Sequence, residues 1–312
     1  MTLSIILSSI FIALISLSCL ISFLILVRIF IHIHPSISNI SVLLSCNTYF
    51  TIILFCFTLL YAGIHNLYGH INSPISLAGR WCEIRAYLPY VCFCAFYYSF
   101  VLQAIFRFFR VVYYKKKILQ KFYVFIIAIF IQWILSFLFI FPHILLNDFQ
   151  YQSLNYNCWI SFRNIRGILL VTLSIYVCPL SIIFIIYTYI LRYVRRTITS
   201  QRERQKSYKR DTIILRRIVI LLLFLVMFGV STLSVLVIYS ITNYLIPFAY
   251  EIQVVSISIG LVVTPITLIF ITPKIRHIFE RNEQVKCSSM TRRNIQHTTT
   301  DSSRQQTQLI SI

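Results

Sequence analysis

Apolar residues fall into seven long blocks, at roughly 3–27, 40–62, 84–106, 122–146, 167–191, 218–242 and 249–272, and the charged residues collect in the stretches between them. Each block approaches the ~20 residues that carry a helix across the hydrocarbon core of a bilayer. Buried strands also give unbroken apolar runs, but of only about 4–8 residues. A membrane β-barrel would instead show alternating segments of about ten residues. The pattern predicts an all-α membrane protein, a bundle of seven transmembrane helices. The third block contains no charge between Arg85 and Arg107, and Cys82 stands just ahead of it. The helical rise over those positions spans roughly 37 Å, slightly more than the ~30 Å hydrocarbon core. One helix can therefore hold Cys82 at one membrane face and Arg107 at the other.

The connectors set the sidedness. Arg28 follows span 1, and Arg107, Arg110, Lys115, Lys116, Lys117 and Lys121 follow span 3. Further basic residues run from Arg192 to Arg217 and from Lys274 to Arg304. The opposite side holds only Arg80, Arg85, Arg163 and Arg166 of the 28 Lys and Arg. The positive-inside rule puts the rich side in the cytoplasm. The N-terminus is then outside and the C-terminus inside, which requires an odd number of spans. The N-terminal run lacks a basic n-region and is longer than a secretory h-region, so it reads as a first span that doubles as an uncleaved anchor. The sequon Asn39-Ile40-Ser41 falls in a cytoplasmic connector, where it is not glycosylated.

Composition sharpens this picture. The chain is 58% hydrophobic and 12% charged, with a mean hydropathy of +0.82. Soluble domains carry about a quarter charged residues. A net charge of +20 would suggest nucleic acid in a soluble protein, but here the charge is segregated between apolar blocks, so no nucleic-acid partner is expected. The seven histidines are dispersed without metal-ligand spacing, and the only acid within the spans is Glu251 near one end of span 7, with no Ser–His pair placed to use it. No enzyme activity, metal or cofactor is therefore expected.

Beyond Thr272-Pro273, Ile275, Ile278 and Phe279 recur at helical spacing. That predicts an amphipathic helix on the membrane surface over 274–287, after a bundle over 1–273. Cys287 ends it as a candidate palmitoylation site or a free cytoplasmic thiol. The tail over 288–312 is rich in Ser and Thr and reads as disordered. Phosphorylation there would add negative charge for a basic partner. The basic connector after span 5 serves anionic-lipid contact, partner docking, or both.

Cys82 and Cys158 are the two cysteines on the oxidising outer side, so they predict a disulfide that pins the second outer loop over span 3. The mid-span cysteines, such as Cys92 and Cys94, read as packing residues.

Seven spans, Cys82 heading span 3, Cys158 in the second outer loop and Arg107 at the foot of span 3 resemble the rhodopsin-like G protein-coupled receptors. Trp133, the pair Pro179 and Tyr187, and Pro265 match that family's pattern in spans 4, 5 and 7. Departures are also present. Phe106-Arg107-Phe108 replaces the family's acid-Arg-Tyr, so no acid precedes Arg107. Ser22 is the nearest polar group to the family's span-1 asparagine, and Asn47 and Thr48 stand near the missing span-2 aspartate. Span 7 reads Thr264-Pro265-Ile266-Thr267-Leu268, which puts the family's sodium site in doubt.

The resemblance implies a plasma-membrane receptor that passes the binding of an extracellular ligand to a heterotrimeric G protein by movement of helix 6 near Arg107. It implies coupling roles for Arg107, Phe106, Phe108 and Tyr187, and switch roles for Pro179, Phe224, Phe228 and Pro265. Its ligand positions fall on Pro89, Tyr90, Phe93, Cys94, Thr172 and Ile175. Ser231, Val235, Tyr250, Val254 and Ser258 complete them, with Glu251 as an acidic contact. Plain helix packing accounts for each of these equally well. Pro89 stands where amine receptors carry an aspartate, and Ser258 where opsins carry the retinal lysine, so neither ligand is expected. The loop over about 147–165 suggests a small peptide, and a phosphorylated tail would suit arrestin. The rival readings are a transporter, which would show intramembrane charges, and a seven-helix ligand-gated channel with its N-terminus inside. An epitope tag at the N-terminus should be detected on unpermeabilised cells; detection only after permeabilisation would overturn the assigned sidedness.

Overall fold

The computed structural model describes residues 2–32, 40–72, 80–152, 157–161, 163–198 and 249–271, together with 226, 229–230, 233–239 and 241–242. Phe224, Phe228, Ser231 and Cys287, the surface helix expected over 274–287 and the tail over 288–312 lie outside these residues. Seven α-helical elements are labelled: α1 (Thr2–His32), α2 (Ile40–Asn72), α3 (Arg80–Val111), α4 (Phe122–Leu145), α5 (Ile165–Thr172), α6 (Cys178–Ile198) and α7 (Ala249–Ile271). A π-helical turn, Leu173–Val177, joins α5 to α6. Among the described residues, six stretches are long and apolar enough to cross a membrane; Ile165–Tyr193 is one of them. The sixth apolar block is described only in part, and its 233–239 stretch is helical.

Two helices run past the expected bounds. α1 continues through Arg28 to His32, and α2 runs on to Asn72. Hydropathy marks where lipid ends, whereas a helix satisfies its own backbone in lipid or water alike. The bundle also carries a two-stranded antiparallel hairpin, β1 (Phe149–Gln152) and β2 (Asn157–Ile160), with Tyr151 opposite Cys158.

α3 is the packing axis. It lies against α2, α4, α6 and both hairpin strands, and Cys94, Ala95 and Ala104 on it are fully buried. α4 is peripheral and buries one stripe, Phe125, Gln132, Ser136, Ile140 and His143. Its large apolar residues Ile127, Phe130, Ile134 and Leu138 point outward. Polar groups inside and apolar groups outside are what a lipid solvent favours, since lipid rewards no burial of leucine but penalises an unpaired amide.

The buried polar groups join helices. Asn47 Nδ2 donates to Gln132 Oε1 at 2.9 Å, and Gln132 Nε2 donates to the Ala95 carbonyl at 2.8 Å. Gln103 Nε2 donates to Thr48 Oγ1 at 2.8 Å, with Ser99 Oγ 3.0 Å away. These neutral bonds link α2, α3 and α4. α1 and α7 are joined by Ser18, whose hydroxyl donates to the Leu261 carbonyl at 2.6 Å. The Ser22 hydroxyl, one turn further on, is buried with no hydrogen-bond partner. Trp133 is half-exposed and sets its ring edge-on to Phe50 at 6.2 Å.

Gln132→Leu would strip partners from Asn47 and the Ala95 carbonyl and should cost about 1–3 kcal/mol. Thermal unfolding of the purified protein reads this loss. Ile134→Leu, on the outward face of the same helix, should leave the transition unchanged.

Candidate functional site

At one end of the bundle, a disulfide joins Cys82 in the first turn of α3 to Cys158 in β2, with Cα atoms 5.6 Å apart. Aromatic contacts dock the rest of the hairpin. Phe149 and Trp159 approach the Tyr90 ring at centroid distances of 5.7 and 5.6 Å. Gln152 Nε2 donates to the Tyr250 hydroxyl at 2.6 Å, tying β1 to α7.

A second clasp was not anticipated from the sequence. α4 ends with Asn147 at a positive φ of 51°. The Asp148 N–H bonds to the His143 carbonyl and the Asn147 N–H to that of Ile144. This Schellman arrangement uses asparagine where glycine is usual. It folds Asp148 back onto the last turn of α4, where it is completely buried. His143 Nδ1 lies 2.8 Å from Asp148 Oδ2. An ionised carboxylate only accepts, so this contact selects the Nδ1–H form. Asn164 Nδ2 donates to Asp148 Oδ1 at 2.7 Å, and Arg166 Nη2 donates to the same oxygen at 3.1 Å. Asn164 also caps α5 by accepting from the Gly167 N–H at 3.2 Å. A Cβ on Gly167 would lie 3.0 Å from the Asp148 carboxyl carbon, so glycine lets α5 start this close. Burial raises the Asp148 pKa, but the hydrogen bonds from Asn164, His143 and Arg166 outweigh it and hold the carboxyl below its usual range. The sequence signal was present: an acid just past the end of the fourth apolar block, five residues after a histidine.

Beneath the hairpin lies a cavity with about 750 Å³ of empty space, part of it continuous with solvent. Phe55 and Leu59 of α2 line it, with Pro89, Tyr90 and Phe93 of α3. Trp159 and Ile160 form the roof, and Val171, Thr172, Ile175 and Tyr176 one wall. Tyr250, Gln253, Val254 and Ile257 of α7 close the other side. The structure thus brings Pro89, Tyr90, Phe93, Thr172, Ile175, Tyr250 and Val254 together, and places four other candidate positions elsewhere. Cys94 is fully buried against Ser136 of α4, because it sits one residue around the helix from Phe93. Ser258 is fully buried, with its hydroxyl bonded to the Val255 carbonyl. Val235 is buried but does not line the cavity. Glu251 lines a separate, smaller opening with Ser8, Asn66 and Asn157. Phe55, Tyr176 and Gln253 were not anticipated.

Pro179 explains the π turn above it. Proline has no N–H to return to the preceding turn. Just ahead of it, the Cys178 N–H bonds to the Leu173 carbonyl, five residues back. The turn directs Tyr176 inward, edge-on to Phe93 at 5.3 Å and to Tyr97 at 5.0 Å. Gly229 sits against the same ring; a Cβ there would lie 3.2 Å from Tyr176 Cδ1.

At the opposite end of α3, Arg107 is half-buried, and its charge acts on the buried Tyr187 hydroxyl of α6. Phe106 turns away into a cluster with Ile40, Leu44 and Phe125, edge-on to Phe125 at 5.3 Å. Phe108 packs edge-on against Tyr189 at 5.5 Å. Pro265 lies within α7, and its carbonyl accepts from the Tyr49 hydroxyl at 3.1 Å. Among the described residues, no three His, Cys, Asp or Glu are grouped to hold a metal ion.

A family model described as "7 transmembrane receptor (rhodopsin family)" matches residues 23–267, well over half of the chain. No curated protein matches the sequence.

Because the Asp148 pKa is depressed in the fold, its contribution is complete above the ordinary carboxylate value near 3.8 and is lost as the pH falls through the lower, folded value. Wild type should therefore be more stable than Asp148→Asn at neutral pH, and the gap should close below about pH 4. Thermal unfolding of both proteins across that range checks the sign.

Proposed function

The chain belongs to the rhodopsin family of seven-transmembrane receptors, and from that we propose that it couples a ligand in the outer cavity to a heterotrimeric G protein at the Arg107 end. In this reading the Cys82 end of α3 faces the cell exterior and the basic connectors face the cytoplasm of a plasma-membrane receptor. The observation that carries the proposal is Tyr176. Its ring lines the cavity, packs on Phe93 and Tyr97 of the axial helix, and rests against Gly229 of the sixth block. A ligand that shifts this ring acts on α3 and on helix 6 together. A state with the inner end of helix 6 swung outward would expose Arg107 and Tyr187 to the G protein, and the ligand drives the change by binding that state more tightly. Phosphorylation of the tail would then recruit arrestin.

Phe106 occupies the place of a restraining acid, so basal signalling is expected. Membranes that contain the receptor and a promiscuous G protein should exchange guanine nucleotide above receptor-free membranes. Arg107→Ala should return exchange to the receptor-free level at equal surface display. Unchanged exchange would remove the role assigned to Arg107.

A further inference from the structure

We infer that the outer cavity takes an uncharged, largely apolar small molecule carrying one hydrogen-bonding group for Thr172. This rests on the receptor reading above and names the ligand class of the same site.

The first ground is charge. None of the cavity-lining residues is ionisable to a charge at neutral pH. The undescribed part of the sixth block cannot supply one, because no Asp, Glu, Lys, Arg or His lies between Arg217 and Glu251. The nearby outer charges are placed elsewhere. Asp148 is held by Asn164 and Arg166, and Arg85 lies over the Tyr61 ring at 5.7 Å. Glu251 borders an adjoining smaller opening, which shares Trp159, Tyr250 and Val254 with the cavity, and does not line the cavity itself. An ionised ligand group would enter without a counter-charge, at a desolvation cost of several kcal/mol.

The second ground is an orphan hydroxyl. Thr172 lines the cavity and is 5% exposed, and its Oγ1 has no hydrogen-bond partner. A threonine in a helix ordinarily bonds to a carbonyl one turn back, as Thr264 and Thr267 do here. Thr172 instead abuts the π turn with its hydroxyl unspent. A buried hydroxyl without a partner is unfavourable, and a ligand hydroxyl or carbonyl would relieve it. The remaining lining is aromatic and aliphatic apart from the Gln253 amide and the tyrosine hydroxyls, a mostly apolar surface with a few polar groups such as small-molecule sites present. A small peptide, the ligand suggested by loop length, would bring ionised termini into a site whose lining offers no counter-charge.

The test uses the full chain in phosphatidylcholine nanodiscs and three uncharged photoreactive probes: a diazirine-bearing monoacylglycerol, sterol and fatty alcohol. At least one should label peptides spanning 168–176 or 250–257, and excess unmodified parent compound should suppress the labelling. The matching fatty acid and fatty amine should label these peptides at least tenfold less. Thr172→Val keeps the volume and should reduce labelling about tenfold, the scale of one lost hydrogen bond. Val171→Trp should fill the cavity and abolish labelling; the Cys82–Cys158 bond and the thermal transition show that this variant folds. The inference is overturned if no uncharged probe labels the cavity, if charged probes label it equally, if Thr172→Val has no effect, or if a peptide with free termini displaces the probe. Nucleotide exchange in the same preparation separates the two failures. Exchange without cavity labelling retires this ligand class alone, and labelling without exchange retires the signalling reading.

Discussion

Gln132 holds three helices together without a charge. It accepts from Asn47 of α2 and donates to the Ala95 carbonyl of α3 from its own place on α4. In lipid, apolar contact alone gives helices little preference for one another, so packing fit and interhelical hydrogen bonds set their positions. The Thr48, Ser99 and Gln103 cluster repeats the device further along the α2–α3 seam. Together these bonds fix the axial position and rotation of α3. The rest of the described site follows from that placement. Cys82 meets β2, Tyr90 and Phe93 face the cavity, and Arg107 comes close to Tyr187.

The Cys82 end of the bundle is secured at two points of different chemistry. The disulfide fixes β2 to α3 covalently. The Asp148 cluster fixes the end of α4 and the start of α5 to the root of β1, through hydrogen bonds that depend on ionisation. Between them the hairpin has little freedom to lift, and its aromatic residues become the roof of a cavity rather than a loose loop. The Gln152–Tyr250 contact ties the same hairpin to α7.

Hydropathy and charge made much of this fold legible. The lengths of six apolar blocks and the cysteines Cys82 and Cys158 are one-dimensional signals, and the described helices and the disulfide agree with them. Which side of a helix faces inward was harder to read. Phe93 and Cys94 are neighbours in sequence but face α2 and α4 respectively, about 100° apart. Trp133 was the conspicuous residue of span 4, yet Gln132 beside it joins the helices. Asp148 was missed because its value lies in a left-handed turn at Asn147 that folds it back onto His143, and no helical period announces such a turn.

The π turn adds a shift in phase. Ile168 in α5 and Tyr187 in α6 are both buried. Nineteen residues at about 100° each come to five turns and roughly 100° more, so an unbroken α-helix would point these two side chains in different directions. The extra residue accommodated at Leu173–Val177 absorbs that difference. One rod can thus show Thr172 and Tyr176 to the outer cavity and Tyr187 to Arg107. The outer and inner halves of this helix are locked together like two dials set one notch apart. Straightening the turn into plain α-helix would rotate one reading face away even if every side chain were kept.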